Sequence, residues 1–433
     1  MRIILMTAIL IFSLSGTSQA QSFNLCGALK EDKTYKGNSS YKRLIEGKDG
    51  WIFRTKTDFE DDFKINSALK KRFTRLHKAF NDQGMELVVA LLPTRGMMHH
   101  DRIDYPYYDF DKAIGSYNEL VKTLKELGIS VAAVDDFKEG QDFFYKRDHH
   151  WNAAGAKLLA EKVAEEVKKM PVYADIPKIN YKTESKDTLE HEGTFSDFAN
   201  EVCDLSIPTE QVPAYKTYES SAGEDLFDDK ARPDILLVGT SNSTQVASHA
   251  NFDGFLKEYI GADVENNSVS GGGVDAAMLD WLSSPEYKST KPKIVIWEIP
   301  VYQNFKGGPF YRQAIPAVYG DCKGKEIAKE VADIKDGHFS VFSNTLDKNI
   351  NGKNHYMHIA FSEFKDRKFR LTTNYKDKTK EPFDIRRSKF YQPDGIFYLE
   401  FDQDKENIIS FIDGHVPKDT TGKVTISICS FPQ

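Results

Sequence analysis

Beyond its first residues the chain has no apolar run near the roughly 20 residues that a membrane-crossing helix needs, so no internal span is expected. It also lacks a basic surplus: 58 Lys and Arg stand against 65 Asp and Glu, interspersed along the chain, for a net charge of −7. Nucleic-acid binding draws on a strong excess of positive charge, and this balance argues against it. Cysteine is scarce, with 4 residues in 433, and no two sit at the close spacing of a zinc site. No glycine pattern matches a dinucleotide or nucleotide fingerprint. Neither a metal nor a cofactor is therefore expected.

What is present begins at the amino terminus. Met1 and Arg2 precede an apolar run from Ile3 to Leu14, followed by small and polar residues closing on Ser18-Gln19-Ala20. A charged start, a short apolar stretch and a small-x-small site predict a cleaved secretory signal peptide over residues 1–20, with the mature chain starting near Gln21. An uncleaved anchor is the rival, and for that the run is short. Export turns an even cysteine count into an expectation of disulfides. Cys26, Cys203, Cys322 and Cys429 allow three pairings. Cys26–Cys203 with Cys322–Cys429 is preferred, because each bridge then closes within one of the two domains outlined next.

From Trp51 to about Tyr311, short continuous apolar runs alternate with helical stretches. Helices are expected at Ser67–Phe80, Ser116–Leu127 and Ala153–Lys169. Strands are expected at Glu86–Leu92, Ser130–Val134, Asp234–Val238 and Lys293–Trp297. Buried strands between amphipathic helices imply a parallel sheet covered on both faces, a doubly wound α/β domain. After Cys322 the pattern becomes alternating, in His355–Phe361, Lys368–Thr372, Ile396–Phe401, Ile408–Ile412 and Lys423–Ile428, with turn residues between. That predicts a second, smaller all-β antiparallel sandwich. The boundary is placed near Ala314 to Gly320, giving domains 21–316 and 317–433.

Three segments suggest chemistry. In Leu236-Leu-Val-Gly-Thr-Ser-Asn-Ser243 a strand runs into a Gly-Thr-Ser turn, which puts Ser241 at the carboxyl end of a parallel strand near free backbone N–H groups. Such a place suits a nucleophile, and equally an ordinary helix-capping serine. The segment Arg147-Asp-His-His-Trp-Asn152 supplies a base: on an extended backbone, Asp148 and His150 share a face, so the carboxylate can hold one imidazole nitrogen while the other accepts a serine proton. A helix-end polar cluster and a metal site are the competing readings. Third, Asn266-Asn-Ser-Val-Ser-Gly-Gly-Gly273 is a glycine-rich turn, and Gly272 or Gly273 is a candidate oxyanion donor beside the N–H of Ser241.

Gly50-Trp-Ile-Phe53, Asp148-x-His150-Trp151, Gly239-Thr-Ser241, the triple glycine and Trp297-Glu-Ile-Pro300, in this order, resemble the SGNH-hydrolase-like alginate O-acetyltransferases, the AlgX and AlgJ group. In ordinary SGNH hydrolases the serine precedes the Asp-x-x-His; in this group, as here, the Asp-x-His comes first. A sandwich after the catalytic region resembles the AlgX branch, whose module binds carbohydrate. The resemblance implies Ser241 as acetyl-accepting nucleophile, His150 as base and Asp148 as its orienter. It further implies an SGNH-type sheet, two disulfides paired as above, and a periplasmic place among exopolysaccharide secretion proteins, with acetyl supplied by a membrane-bound acyltransferase. Position 149 is a second histidine and position 242 an asparagine, so two imidazoles are candidates to face Ser241.

Five residues are candidate contacts for an anionic, alginate-like polysaccharide. Arg95 follows a strand end and carries a fork suited to a uronate carboxylate, and Glu298 ends a strand at the ligand edge of the sheet. Arg386, Arg387 and Tyr391 combine charge with an aromatic face in the sandwich domain. The triad alone does not separate a polysaccharide acetyltransferase from an acetyl esterase, since the two differ only in whether a sugar hydroxyl or water attacks the acyl-enzyme. A non-catalytic glycan-binding subunit is the third reading.

Overall fold

The computed structural model describes residues 22–38, 41–220, 232–303, 305, 307–343, 350–387, 394–403 and 407–432. The expected signal peptide and Tyr391 lie outside these residues. Among them, no helix is long and apolar enough to cross a membrane.

Five parallel strands form the sheet of the first domain, in the order Ser130–Ala133, Glu86–Leu92, Ile294–Pro300, Ile235–Val238, Glu265–Asn266. The period of two along a strand explains why these segments are apolar throughout. Leu87, Val89 and Leu91 enter one core, beneath the helices Ser67–Asp82, Phe110–Glu126 and Gly308–Tyr319; Val88, Ala90 and Leu92 enter the other, beneath Ala153–Lys169 and Phe252–Ile260. The sheet is thus doubly wound, as expected. Asparagine side chains cap two of the helices: Asn66 accepts from the N–H of Leu69, and Asn152 from those of Ala154 and Gly155.

Several elements have no counterpart in the sequence reading, among them the strand Glu265–Asn266, the helix Phe252–Ile260 and one excursion from the sheet. Tyr181–His191 and Glu210–Glu219 pair as an antiparallel arm, and the helix Thr194–Cys203 lies between them. Its first strand is full of exposed charge, with Lys182, Lys186, Asp187 and Glu190, so no apolar alternation marks it.

Beyond Gly320, two four-stranded antiparallel sheets pack as a sandwich around Met357, Ile359, Phe361, Leu371, Phe397 and Ile426. Three of its strands, Ala328–Asp333, His338–Val341 and Lys380–Arg386, were not anticipated. The position 316/317 falls inside the helix Gly308–Tyr319. Both disulfides, Cys26–Cys203 and Cys322–Cys429, are formed in the preferred pairing.

The two domains are joined by a continuous core. Tyr356, Tyr398 and Cys429, on the outer face of one sandwich sheet, belong to the same apolar cluster as Phe73, Tyr311 and Ile315. Around it Arg75 pairs with the buried Glu400 at 2.5 Å, Arg312 donates to the Glu400 carbonyl at 2.7 Å and pairs with Glu381, and the Tyr356 hydroxyl donates to the Gly320 carbonyl at 2.9 Å.

His358 shares that outer face, stacked near Tyr398 with a ring separation of 5.2 Å, and burial lowers its pKa to about 4. Because the folded value lies below the unfolded one, its contribution to stability is complete above the unfolded pKa and is lost as pH falls towards 4. Taking the free value as about 6.5, unfolding should cost roughly 2 kcal/mol less at pH 5 than at pH 7.5 on account of this group. Denaturant titrations at the two pH values should show this loss, and His358→Phe should remove it.

Candidate active site

The Ser241 turn is held from beneath. The strand Ile235–Val238 runs into Gly239 and Thr240, and Ser241–Ser243 forms one 3-10 turn in which the Thr240 side chain accepts the N–H of Asn242. Ser241 is left half-buried at the carboxyl edge of the sheet. Glu298, on the adjacent strand, is fully buried and accepts the Thr240 N–H at 2.7 Å, the Thr240 hydroxyl at 2.9 Å and the Ser243 hydroxyl at 3.2 Å. Burial pushes its carboxyl above the usual range, against those hydrogen bonds, which favour the charged form. The expectation that Glu298 touches substrate is therefore corrected: it has no exposed surface and anchors the turn instead.

Gly239 is required by that anchor. A Cβ there would lie 2.7 Å from Glu298 Oε2 and 2.8 Å from Ser243 Oγ. Gly239→Ala should displace Glu298 and shift Ser241, lowering turnover about tenfold to a hundredfold with the overall fold retained. Parallel assays of acetyl-ester turnover and circular dichroism would check both halves.

The base arrives from the opposite direction. The His150 Nδ1–H donates to Asp148 Oδ1 at 2.7 Å, and Nε2 lies 2.9 Å from Ser241 Oγ, placed to accept its proton. The backbone is not extended here, as the sequence reading supposed. It bends, and the His150 N–H also donates to Asp148 Oδ1, at 2.8 Å, so the carboxylate closes a small ring around its own histidine. Trp151 then latches this segment to the Ser241 turn, its indole N–H donating to the Asn242 carbonyl at 2.7 Å.

The second oxygen of Asp148 accepts the N–H of Thr194 at 2.9 Å and lies 3.2 Å from His191 Nε2. Burial alone would raise the Asp148 carboxyl, but the charge on His150 and the hydrogen bonds from His150 and His191 hold it well below the usual carboxylate range. His149 points elsewhere, with Nδ1 2.8 Å from the Thr194 hydroxyl. Burial, reinforced by the charge on His150, depresses its pKa well below the usual value. Of the two imidazoles it is His150 that faces Ser241. Ligand atoms of Asp148, His149 and His150 lie within 4.8 Å of one another, as a metal site would need. Both Asp148 oxygens and both His150 nitrogens take part in hydrogen bonds, an arrangement that a base oriented by a carboxylate would also use.

A cavity of about 360 Å³ opens over Ser241, lined by Tyr41, Arg54, His149, Gly271, Gly273 and Tyr302. Gly273 thus faces the site, with a φ of +69°, whereas a Cβ on Gly272 would meet that of Ala276 at 2.5 Å, so Gly272 packs towards the following helix. Arg95 is not at the cavity. It is fully buried, paired with Asp58 at 3.3 Å, and donates to the carbonyls of Tyr145, Ile52 and Lys146. Its assignment to substrate is overturned, since its guanidinium ties together the backbone that leads to His150. Arg386 is exposed beside Lys368, Arg370 and His415 around a groove of about 640 Å³, and pairs with Asp384 at 3.3 Å. Arg387 turns instead to the domain junction, donating to Gln313.

His191 and Thr194 escaped the sequence reading because a lone histidine in a charged strand carries no motif. The available signal was Gly193, whose φ of +83° and close pass over the Arg147 carbonyl mark a crossing of the two segments.

A serine at the carboxyl edge of a doubly wound sheet, with His and Asp brought to it from a separate bend, fits the class of SGNH-hydrolase-like proteins. Residues 44–301 match the family model for the SGNH hydrolase-like domain, acetyltransferase AlgX, and the chain belongs to that family. It is 32% identical over 396 residues to the alginate biosynthesis protein AlgX of Pseudomonas aeruginosa, covering 88% of this chain and 82% of that protein. The probable alginate O-acetylase AlgJ of the same organism is 27% identical over 300 residues, 64% of this chain and 73% of that one. The solved structure of Pseudomonas aeruginosa AlgX superposes with a TM-score of 0.83 at 30% identity, covering 94% of this chain and all of the other.

Proposed function

We propose that this chain is a periplasmic acetyltransferase that moves acetyl groups through Ser241 onto hydroxyls of an alginate-like polyuronate during exopolysaccharide biosynthesis. The observation that carries the reading is the 2.9 Å approach of His150 Nε2 to Ser241 Oγ at the floor of an open cavity.

In the first half-reaction His150 takes the Ser241 proton as Oγ attacks the acetyl carbonyl of the donor. The oxyanion that forms lies near the Ser241 N–H and the N–H groups of the Gly271–Gly273 turn, with Gly273 the better placed of the two glycines first considered. Collapse breaks the bond to the leaving group, which departs with the proton from His150, and Ser241 is acetylated. In the second half a sugar hydroxyl gives its proton to His150 and attacks the acetyl-serine; the bond to Ser241 Oγ breaks as His150 returns the proton to it, releasing the acetylated polymer and restoring the serine.

Family membership and the alginate names of the relatives support the polymer, and the exposed Arg386 groove suits a polyanion. A membrane-bound acyltransferase is the proposed acetyl source, and other secretion proteins are the proposed neighbours. Intact mass of the mature protein and of Ser241→Ala, after an activated acetyl ester and then polymannuronate, tests the reading. An adduct on the wild type only, discharged onto polymer, is expected. Discharge to water alone would make the chain an esterase, and no adduct on either would leave a glycan-binding subunit.

A further inference from the structure

We propose that His191 is a positioning residue for the catalytic carboxylate: it pins the outer oxygen of Asp148 so that the inner one stays aimed at His150. The inference rests on the reading of Ser241 as acyl-accepting nucleophile and goes beyond it, because a triad does not require a second imidazole.

Four donors surround Asp148. Oδ1 accepts the N–H and the Nδ1–H of His150, at 2.8 and 2.7 Å; Oδ2 accepts the Thr194 N–H at 2.9 Å, with His191 Nε2 at 3.2 Å. An ionised carboxylate only accepts, so the proton of the last contact sits on His191 Nε2, which fixes that ring's tautomer. His191 is held firmly enough to act this way. It is 5% exposed, and its ring stacks on Tyr145 at 4.0 Å, while the Tyr145 hydroxyl donates to the Ser248 carbonyl at 2.9 Å. His249 closes the other side, edge-on at 5.9 Å.

The consequence is geometric. A carboxylate bonded on one oxygen can turn about its Cβ–Cγ bond and carry the imidazole with it, and outer contacts that stop such turning commonly change activity tenfold or more. Thr194 and His191 both lie on the segment that crosses over Arg147, so Asp148 is gripped by chain remote in sequence from the Asp-His-His motif.

Two variants separate positioning from packing. His191→Phe keeps the ring stack on Tyr145 but cannot donate, whereas His191→Gln keeps a donor. Turnover of an activated acetyl ester should fall about 10–100-fold in kcat for His191→Phe, with KM within about twofold of wild type, and should largely return in His191→Gln. The far-downfield proton resonance of His150 Nδ1–H should also move in His191→Phe and return in His191→Gln. Wild-type kcat with an unmoved resonance in His191→Phe overturns the proposal, as does equal loss in both variants accompanied by a lowered unfolding midpoint. A wild-type chain without a Ser241 adduct would sink the transferase reading, and the resonance would then decide the role of His191 alone.

Discussion

Asp148→Asn is expected to lower kcat/KM for acetyl transfer by about four orders of magnitude while also loosening the fold by about 1–3 kcal/mol. Both oxygens of Asp148 accept hydrogen bonds, one from His150 and the other from Thr194 and His191. An amide has one acceptor. If its NH2 faces His150, the imidazole must present a bare Nδ1 and carry its proton on Nε2, where it can no longer accept from Ser241. If the NH2 faces outward, it meets the Thr194 N–H, which has no second tautomer to adopt. In the first arrangement activity is lost and the NH2 also meets the His150 backbone N–H, so stability suffers as well; in the second the loss is of stability. The sign of the acid response follows as well. Since the folded carboxyl lies well below its free value, its stabilising contribution is complete above about pH 4 and is lost only in stronger acid. Asp148→Asn should flatten that part of the acid limb. Wild-type turnover, or an unchanged acid limb, in this variant would mean that the contacts at Asp148 are incidental.

The second large effect concerns Cys26–Cys203, which closes a loop with a sequence separation of 177 residues. On the chain-entropy account a loop of that size stabilises the fold by about 5 kcal/mol. Cys203 ends the helix whose first residue, Thr194, donates to Asp148. Cys203→Ser is thus expected to remove most of that stability and to lower turnover before the sheet unfolds, because the segment that grips Asp148 loses its anchor. Cys322→Ser cuts a bridge of separation 107 within the sandwich domain and should destabilise without this early loss of turnover. Urea titration beside initial rates for the two variants would decide. Parallel declines in rate and stability for both would show that the first bridge has no special link to the site.

Four of the five strands of the parallel sheet were legible because they are continuous apolar runs, and one such as Glu86–Leu92 reads plainly between two amphipathic helices; the fifth, Glu265–Asn266, is two half-buried polar residues and carries no such signal. Ser241, His150 and Asp148 could be named because each sits in a short motif. Their neighbours could not, for differing physical reasons. Arg95 and Glu298 were assigned from strand ends alone, where a charged residue looks like a ligand contact; only burial shows that one ties backbone together and the other holds the Thr240 turn. The arm Tyr181–His191 is mostly solvated, so its pairing, from His191 with Glu210 to Tyr181 with Glu219, is set by remote partners rather than by its own periodicity. The strands Ala328–Asp333 and Lys380–Arg386 alternate in burial, but charged and small residues blur that pattern in the sequence.

The apolar cluster that runs from Tyr311 through Tyr356 and Tyr398 leaves little freedom for a hinge between the domains. Thermodynamically the two should behave as one cooperative unit, melting in a single calorimetric peak whose van't Hoff and calorimetric enthalpies agree. A damaged sandwich would then propagate to the Ser241 cavity as a shared loss of foldedness, so the two domains stand or fall together.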